Sequence, residues 1–271
     1  MAELTRKEVI QLIAAVSNPN FGVKLAGVDL SGLDLSFLNL ENADLRRAVL
    51  RGANLKKTLL KSANCEGAQF IEADLSECFA EATNFELANL SRAVMVKADL
   101  KEANFKEADM IEVNLREAEL TQAKLNKANL ESADLRGAKL HRARLGQAKL
   151  VAADLVGAVL TEVELNEADL QWAIAERANF SWSYLQRASF IDATLTMAKF
   201  NDCNLNEALM MRANLTDAEF NRALLKNANL SKVTLARTNF QGANLREAML
   251  PPDWQTRAII GETIAPDGLK I

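Results

Sequence analysis

The chain has 271 residues, of which 49% are hydrophobic, and a formal net charge of −4 at pH 7. This weakly acidic balance indicates no particular class of partner. No run approaches the roughly 18 apolar residues needed to span a bilayer, and the first residues lack the basic and apolar segments of a signal peptide. We therefore expect a cytoplasmic protein without a membrane segment.

Residues 1–20 differ from the rest of the chain and predict a short N-terminal capping helix. Thr5 and Glu8 have the spacing of a capping box, in which each side chain binds the backbone N–H of the other residue. Asn18-Pro19-Asn20 is expected to end the helix. A helix placed before a repeat array would cover the apolar side chains of the first coil. Its apolar face is predicted to contain Val9, Leu12, Ile13 and Val16.

Residues 21–250 repeat with a period of five. Every fifth residue from Leu25 to Leu250 is a central position, and 43 of these 46 positions hold Leu, Phe or Met. Two residues earlier, 33 of the 46 positions hold Ala. A period of five fits neither an α-helix nor a flat strand, whereas a chain that turns by ~90° every five residues points both positions inward. Four repeats then close a coil of 20 residues, so the array predicts an elongated body of about 11.5 coils.

The repeated motif is Ala-(Asp/Asn)-Leu-x-x, as in Ala43-Asp44-Leu45 and Ala213-Asn214-Leu215. It resembles the pentapeptide repeat family. The resemblance implies an all-β fold, a right-handed quadrilateral β-helix, and the handedness comes from the resemblance alone. It also implies a function to weigh, because acidic members of the family mimic a DNA duplex and bind type II topoisomerases such as DNA gyrase.

Residues 251–271 break the pattern at Pro251-Pro252 and predict a C-terminal capping tail. Its ending, Ala265-Pro266-Asp267-Gly268, is similar to the tails of cyanobacterial pentapeptide repeat proteins. The side chains expected to fold over the last coil are Trp254, Ile259, Ile260 and Ile264.

Charged residues alternate in sign when the sequence is followed in steps of 20, which places them one above another on neighbouring coils. Opposite charges stacked in this way attract each other, although each exposed pair contributes at most about 1 kcal/mol. A DNA mimic instead requires continuous negative potential along one side. The alternation therefore favours a solenoid whose surface charges neutralise one another over a DNA mimic. The columns are Glu41-Lys61-Glu81-Lys101, Lys57-Glu77-Lys97-Glu117, Glu72-Arg92-Glu112 and Glu167-Arg187-Glu207.

One predicted side carries a cluster of outward apolar residues, which we name the Trp172 face. A contiguous apolar stripe suggests a contact with another protein or with a second copy of the chain, and a homodimer is thus left open. The alternative is β-propensity at sheet positions. Trp182 and Tyr184 lie on a different side and form a smaller aromatic spot, interpreted as incidental. The Trp172 face consists of Val151, Trp172, Ile191, Leu209 and Met211.

Residues 121–150 are locally basic, and Lys124, Arg142 and Arg144 form a candidate belt for an anionic partner. The competing interpretation is salt bridging between coils, because Glu162 and Glu164 follow the two arginines at the 20-residue spacing.

The sequence predicts no catalytic, cofactor or metal site and no small-molecule substrate. His141 is the single histidine, so neither a catalytic pair nor a metal site can be assembled around it. Cys65, Cys78 and Cys203 occupy inward positions and are interpreted as reduced core thiols.

The leading hypothesis is a non-enzymatic scaffold or regulator that binds another protein through the sides of a β-helix, without direct nucleic-acid or membrane contact. The alternatives are a DNA-mimicking regulator or protector of DNA gyrase and a structural rod with no dedicated partner.

Overall fold

The computed structural model describes residues 2–16, 18 and 21–271. The chain forms two compact units, Met1–Asp134 and Leu135–Ile271, here called the N-terminal and C-terminal units. Its helices are α1 (Arg6–Ala14) and α2 (Trp254–Arg257), and its strands are β1 (Thr238–Asn239) and β2 (Ala258–Ile259). Most of the remaining chain consists of turns joined by single parallel bridges, so the fold is an all-β solenoid.

The bridges confirm the 20-residue coil in each unit. In the N-terminal unit they run from Lys24↔Asp44 to Asn114↔Asp134, always with partners 20 residues apart. In the C-terminal unit the same spacing runs from Lys139↔Val159 onward. Bridge residues occupy the position before each central residue, where Asp and Asn are frequent.

The core consists of the two positions that the sequence pattern points inward. Ala43 and Leu45 are both fully buried, and both positions are buried from residue 40 to residue 248. Phenylalanines stack directly within this core. Phe85 and Phe105 are 4.9 Å apart between ring centroids in the N-terminal unit. The C-terminal unit holds a longer column, in which successive centroids of Phe180, Phe200, Phe220 and Phe240 lie 4.9, 4.8 and 5.2 Å apart.

Polar residues at the Ala position remain buried because their side chains reach a backbone carbonyl of the previous coil. Thr58 donates to Leu35 O at 3.0 Å, and Thr238 donates to Leu215 O at 2.8 Å. Both threonines are fully buried. A satisfied hydroxyl is tolerated in an apolar core, so these substitutions leave the coil intact.

Each coil corner is a β-turn whose third residue has positive φ. The Ala48 N–H donates to Leu45 O at 3.0 Å, and Arg47 has a φ of 56°. Positive φ at this position is characteristic of type II turns and favours glycine, yet most corners here carry larger residues. The Asp or Asn before the central residue supports the corner, as when Asp34 Oδ1 accepts from the Ser36 N–H at 3.0 Å. This Asx contact explains why an outward position has a residue preference at all.

The N-terminal helix starts at the capping box that the sequence indicates. Glu8 N–H donates to Thr5 Oγ1 at 3.3 Å, and Thr5 N–H donates to Glu8 Oε2 at 2.7 Å. Val9 is fully buried, but Leu12 is 41% exposed, so the predicted apolar face is only partly covered. Pro19 and Asn20 lie outside the described residues, and the predicted helix stop falls on them.

The bridge register continues beyond the repeat sequence. β1 pairs in parallel with β2, with Thr238 opposite Ala258, and Asn244 pairs with Ile264. Trp254 is buried and its ring lies 6.3 Å from that of Phe240. Of the predicted tail residues, Ile259 is instead 49% exposed on this continued ladder.

The chain then reverses and pairs antiparallel with itself. Thr263 and Ile271 exchange backbone hydrogen bonds of 3.0 and 2.8 Å. Gly268, with a φ of 86°, allows the tight turn that precedes this pairing. The reversed segment occupies backbone groups that would otherwise form an open strand edge.

Candidate interaction surface

The structure places the five residues of the Trp172 face on consecutive coils of the C-terminal unit. Trp172 N–H donates to Ile191 O at 3.0 Å, and the next coil continues through Asp192 N–H to Met211 O at 3.0 Å. Val151 lies one coil before Gln171 in the same column, so a polar residue interrupts the apolar series. Leu209 pairs with Ser189 on the adjoining side.

Exposure within this face is uneven. Trp172 is 57% exposed and Leu209 is 38% exposed. Val151, Ile191 and Met211 are half-buried because neighbouring coils cover part of each side chain. The face therefore consists of one strongly exposed indole, that of Trp172, beside apolar side chains that are less exposed.

Sequence reasoning missed Ile174, which is 43% exposed and follows Trp172 by two residues. Because Ala173 between them is buried, Trp172 and Ile174 both project outward around one corner. The signal was present, since Ile174 is an outward position where Asp or Asn is common. Ser189, beside Leu209, has a buried hydroxyl without a hydrogen-bond partner.

The smaller aromatic spot lies on a different corner of the C-terminal unit. Trp182 is 57% exposed and Tyr184 is 55% exposed. Together with Glu162 they line a groove of about 480 Å³. We name these three residues the Trp182 corner.

The two arginines of the candidate basic belt are paired with carboxylates. Arg142 Nε lies 2.8 Å from Glu162 Oε2, and Arg144 Nε lies 3.6 Å from Glu164 Oε1. Lys124 lies in the N-terminal unit. Its side chain is exposed, and its backbone forms a parallel β-bridge with Asn104. The belt arginines thus have the inter-coil partners that the salt-bridge interpretation requires.

The alternating columns form pairs rather than continuous ladders. Lys61 binds Glu81 at 3.0 Å, whereas Lys101 turns to Asp99 at 3.2 Å. Each cationic head reaches one neighbour closely, so a column of four becomes separate pairs. The other column contacts are Lys57–Glu77 at 3.3 Å, Lys97–Glu117 at 3.6 Å, Arg92–Glu72 at 2.9 Å and Arg187–Glu207 at 2.8 Å.

Three forked arginine–aspartate pairs in the C-terminal unit were not predicted. Arg222 donates to Asp202 through Nε and Nη2, at 2.7 and 2.6 Å. Arg237 binds Asp217 in the same way, with both contacts at 2.6 Å. Arg212 and Asp192 form the third pair. Two parallel hydrogen bonds fix the guanidinium more firmly than a single contact does.

The residues with reactive chemistry are dispersed. All three cysteines are buried free thiols. Burial raises the pKa of Cys78 and Cys203 to about 12, so these thiols are protonated and unreactive near neutral pH. His141 Nδ1 lies 2.9 Å from Thr161 Oγ1. Across residues 2–16, 18 and 21–271, no group of three or more His, Cys, Asp or Glu side chains is placed to hold a metal ion.

In the part of the chain that the structure describes, no helix combines the length and apolar character needed to cross a membrane.

Solved structures of several pentapeptide repeat and related proteins are similar to this chain, among them the following three. HetL, a pentapeptide repeat protein involved in heterocyst differentiation regulation in the cyanobacterium Nostoc sp. strain PCC 7120, is 27% identical over 99% of this chain and 100% of its own, with a TM-score of 0.45. Rfr23 of the cyanobacterium Cyanothece 51142 is 28% identical over 36% of this chain and 63% of its own, with a TM-score of 0.31. A trypsin-treated form of QnrB1, a plasmid-mediated fluoroquinolone resistance protein, is 16% identical over 79% and 89%, with a TM-score of 0.33.

No curated protein sequence matches this chain closely. The family profile of pentapeptide repeats, in contrast, matches successive segments from residue 24 to residue 250, including 24–61, 83–122, 138–174 and 213–250. These segments span most of the 271 residues and lie within the repeat array of residues 21–250. The chain therefore belongs to the family of pentapeptide repeat proteins.

Proposed function

We propose that this chain is a non-enzymatic cytoplasmic scaffold or regulator that binds another protein through the Trp172 face. The observation that carries the proposal is the exposure of Trp172 over half-buried Ile191 and Met211. A large, rigid aromatic side chain that is surrounded by apolar side chains is the usual anchor of a protein–protein contact. Ile174 extends the same surface around the corner.

The surroundings of this face support a contact with a folded protein surface. Gln171 interrupts the apolar column, and the Asp192–Arg212 pair lies next to Trp172 in its own column. An apolar centre with a polar rim is the usual anatomy of a non-obligate interface. A second copy of the chain could occupy the same face, and this outcome is measured separately.

A triple substitution tests the proposal. Trp172→Glu, Ile191→Glu and Met211→Glu together place three charges on the face and are expected to abolish partner capture in affinity purification from the source cells. The matched control introduces three glutamates at exposed apolar positions elsewhere on the C-terminal unit. The control variant carries Val159→Glu, Met197→Glu and Leu224→Glu.

The two variants must be compared at equal stability, measured by thermal melting. Size-exclusion chromatography with light scattering then shows whether the wild-type chain self-associates and whether the face variant is monomeric. Recovery of the same partners with the face variant and the control variant would refute the role of this face.

We also propose the handedness, the coil number and the caps of the solenoid. We infer a right-handed quadrilateral β-helix of about 11.5 coils over residues 21–250. Residues 1–20 and 251–271 act as its caps. The burial of Val9 and the contact of Trp254 with Phe240 support the two caps. If Trp254 seals the core, Trp254→Ala should cost about 3–5 kcal/mol of unfolding free energy in denaturant titrations.

DNA mimicry is the competing function for this family. Many carboxylates here are held by cationic side chains, as in Glu81–Lys61 and Asp202–Arg222, which lowers the negative potential that a mimic requires. We therefore expect neither inhibition nor quinolone protection of DNA gyrase in a supercoiling assay at micromolar protein. Either effect would favour the topoisomerase hypothesis, and a purification that returns no specific partner would favour a purely structural role.

A further inference from the structure

The Trp182 corner differs from the Trp172 face in the groups that surround its aromatic rings. Trp182 and Tyr184 are both more than half exposed, while Ser183 between them is buried. The two rings therefore project outward on either side of one turn. Glu162 completes the groove that they line.

Carboxylates flank these rings along the coil direction. Glu162 lies one coil before Trp182 and Asp202 lies one coil after it, and backbone hydrogen bonds of 3.1 and 2.9 Å connect the successive coils. Glu164 pairs directly with Tyr184 in the neighbouring column. Three carboxylates thus adjoin two exposed aromatic side chains.

The arginines that bind these carboxylates lie one coil further out. Arg142 contacts Glu162, and Arg144 approaches Glu164, on the N-terminal side of the aromatic row. Arg222 binds Asp202 on the other side, with its closest contact at 2.6 Å. The charge order across five coils is therefore positive, negative, aromatic, negative and positive. The carboxylate rows therefore lie next to the aromatic row, and the arginine rows lie one coil further away.

Glu162 retains a carboxylate oxygen that can accept another hydrogen bond. Its Oε2 binds Arg142 Nε at 2.8 Å, whereas its Oε1 lies 4.0 Å from His141 Nε2, too far for a hydrogen bond. The hydrogen bond from Arg142 holds the pKa of Glu162 below its ordinary value. The side chain is therefore ionised at neutral pH.

We propose that the Trp182 corner binds a cationic side chain, arginine or lysine, of a partner protein. The faces of Trp182 and Tyr184 attract a cation through their ring quadrupoles, and Glu162 Oε1 accepts a charge-assisted hydrogen bond from it. Trp172 lacks this arrangement, since Ala152 and Asp192 are its column neighbours. The inference concerns a separate corner and does not depend on the Trp172 face.

Titration with a short peptide tests this site on the full chain. The probe is Ac-Gly-Arg-Gly-Arg-Gly-NH2, and its neutral analogue carries citrulline in place of each arginine. Citrulline keeps the planar shape of the side chain and removes the charge. The chain has three tryptophans, so ¹⁵N labelling of tryptophan gives three indole N–H signals, which Trp172→Phe and Trp182→Phe variants assign. We expect the Trp182 signal to shift in a saturable manner and the Trp172 signal to remain in place.

Substitution separates the contributions of the corner. Trp182→Gly removes the ring at a residue with a φ of 62°, where glycine is favoured, and should weaken peptide binding by about three- to fivefold or more. Trp172→Gly, at a φ of 57°, is the matched control and should leave binding unchanged. Glu162→Gln tests the carboxylate in the same titration and should also weaken binding. Equal binding of the citrulline peptide, equal shifts at Trp172, or no shift at millimolar peptide would overturn the proposal.

Discussion

The N-terminal and C-terminal units share one backbone geometry and differ in how they stabilise it. The N-terminal unit has 16 basic and 21 acidic residues, a net charge of −5, whereas the C-terminal unit has 16 and 15, a net charge of +1. Ion pairs of the N-terminal unit mostly use lysine as the cation, as in Lys61–Glu81. Those of the C-terminal unit mostly use arginine, with forked contacts such as Arg222–Asp202.

The cores of the two units differ in how their phenylalanines are arranged. The N-terminal unit contains a short phenylalanine cluster, while the C-terminal unit contains four stacked rings that end against Trp254. The most exposed tryptophans, Trp172 and Trp182, also belong to the C-terminal unit. The backbone register depends on small and apolar inward residues, so the outward residues and the choice of core ring are free to differ. We therefore expect binding surfaces to be concentrated in the C-terminal unit.

The largest expected effect comes from shortening the phenylalanine column. Phe220 is fully buried between Phe200 and Phe240, so Phe220→Ala should reduce the unfolding free energy by about 3–5 kcal/mol. Phe220→Leu, which restores the commonest central residue, should cost less than half as much. Guanidinium titration of both variants measures the difference.

The buried thiols show where this destabilisation acts. Cys203 lies in the C-terminal unit, and Cys65 and Cys78 lie in the N-terminal unit. If the units open separately, Phe220→Ala should accelerate alkylation of Cys203 and leave labelling of the other two unchanged. Equal acceleration at all three cysteines would mean that the units unfold together, contrary to the comparison.

A smaller and equal effect is expected from the corner glycines. Gly52 and Gly157 have φ values of 62° and 66°, and an added Cβ atom would meet no heavy atom within 4 Å at either position. Alanine should therefore cost only the backbone preference, about 0.5–1 kcal/mol in each unit. Thermal melting of Gly52→Ala and Gly157→Ala measures this cost. Unequal losses would show that the two units do not share one corner geometry.

The forked ion pairs should couple more strongly than the lysine pairs. A double-mutant cycle with Asp202→Ala and Arg222→Ala is expected to show a larger coupling than a cycle with Lys61→Ala and Glu81→Ala. The reason is that two parallel hydrogen bonds constrain a guanidinium, whereas an exposed ammonium makes one screened contact. Both couplings should shrink in 1 M salt, about 3 Å being the screening length there. A coupling at Lys61–Glu81 equal to that at Asp202–Arg222 would remove this distinction between the units.

The weakest expected effect depends on pH. The hydrogen bond from Arg212 lowers the pKa of Asp192 below its ordinary value of 3.8. Because the folded state binds the proton less readily, the pair stabilises the fold above that ordinary value, and this contribution is lost as the pH falls through the lowered pKa. Asp192→Asn should therefore melt below the wild type at pH 7, and the difference in melting temperature should close as the pH falls below 3.8 and through the lowered pKa of Asp192. A gap independent of pH would exclude an ionic origin.

The sequence by itself determined the solenoid. A period of five with Leu and Ala at two fixed positions has one compact solution, a coil of 20 residues, and the bridges from Lys24↔Asp44 onward have that spacing. The opposite charges at this spacing also pair, because neighbouring coils place them side by side, as at Lys61 and Glu81.

Only the tertiary structure decided which outward residues act together. A lysine of a column could bind a carboxylate of its column or one on its own coil, and the choice depends on side-chain reach, as when Lys101 binds Asp99. The continuation of the ladder through Ile264 follows from backbone hydrogen bonds that carry no sequence repeat. The carboxylates around Trp182 and the arginines that bind them are likewise spread over five coils, from Arg142 to Arg222. The repeat of the sequence determines the length of each coil. The stacking of the coils then determines which outward side chains lie next to each other.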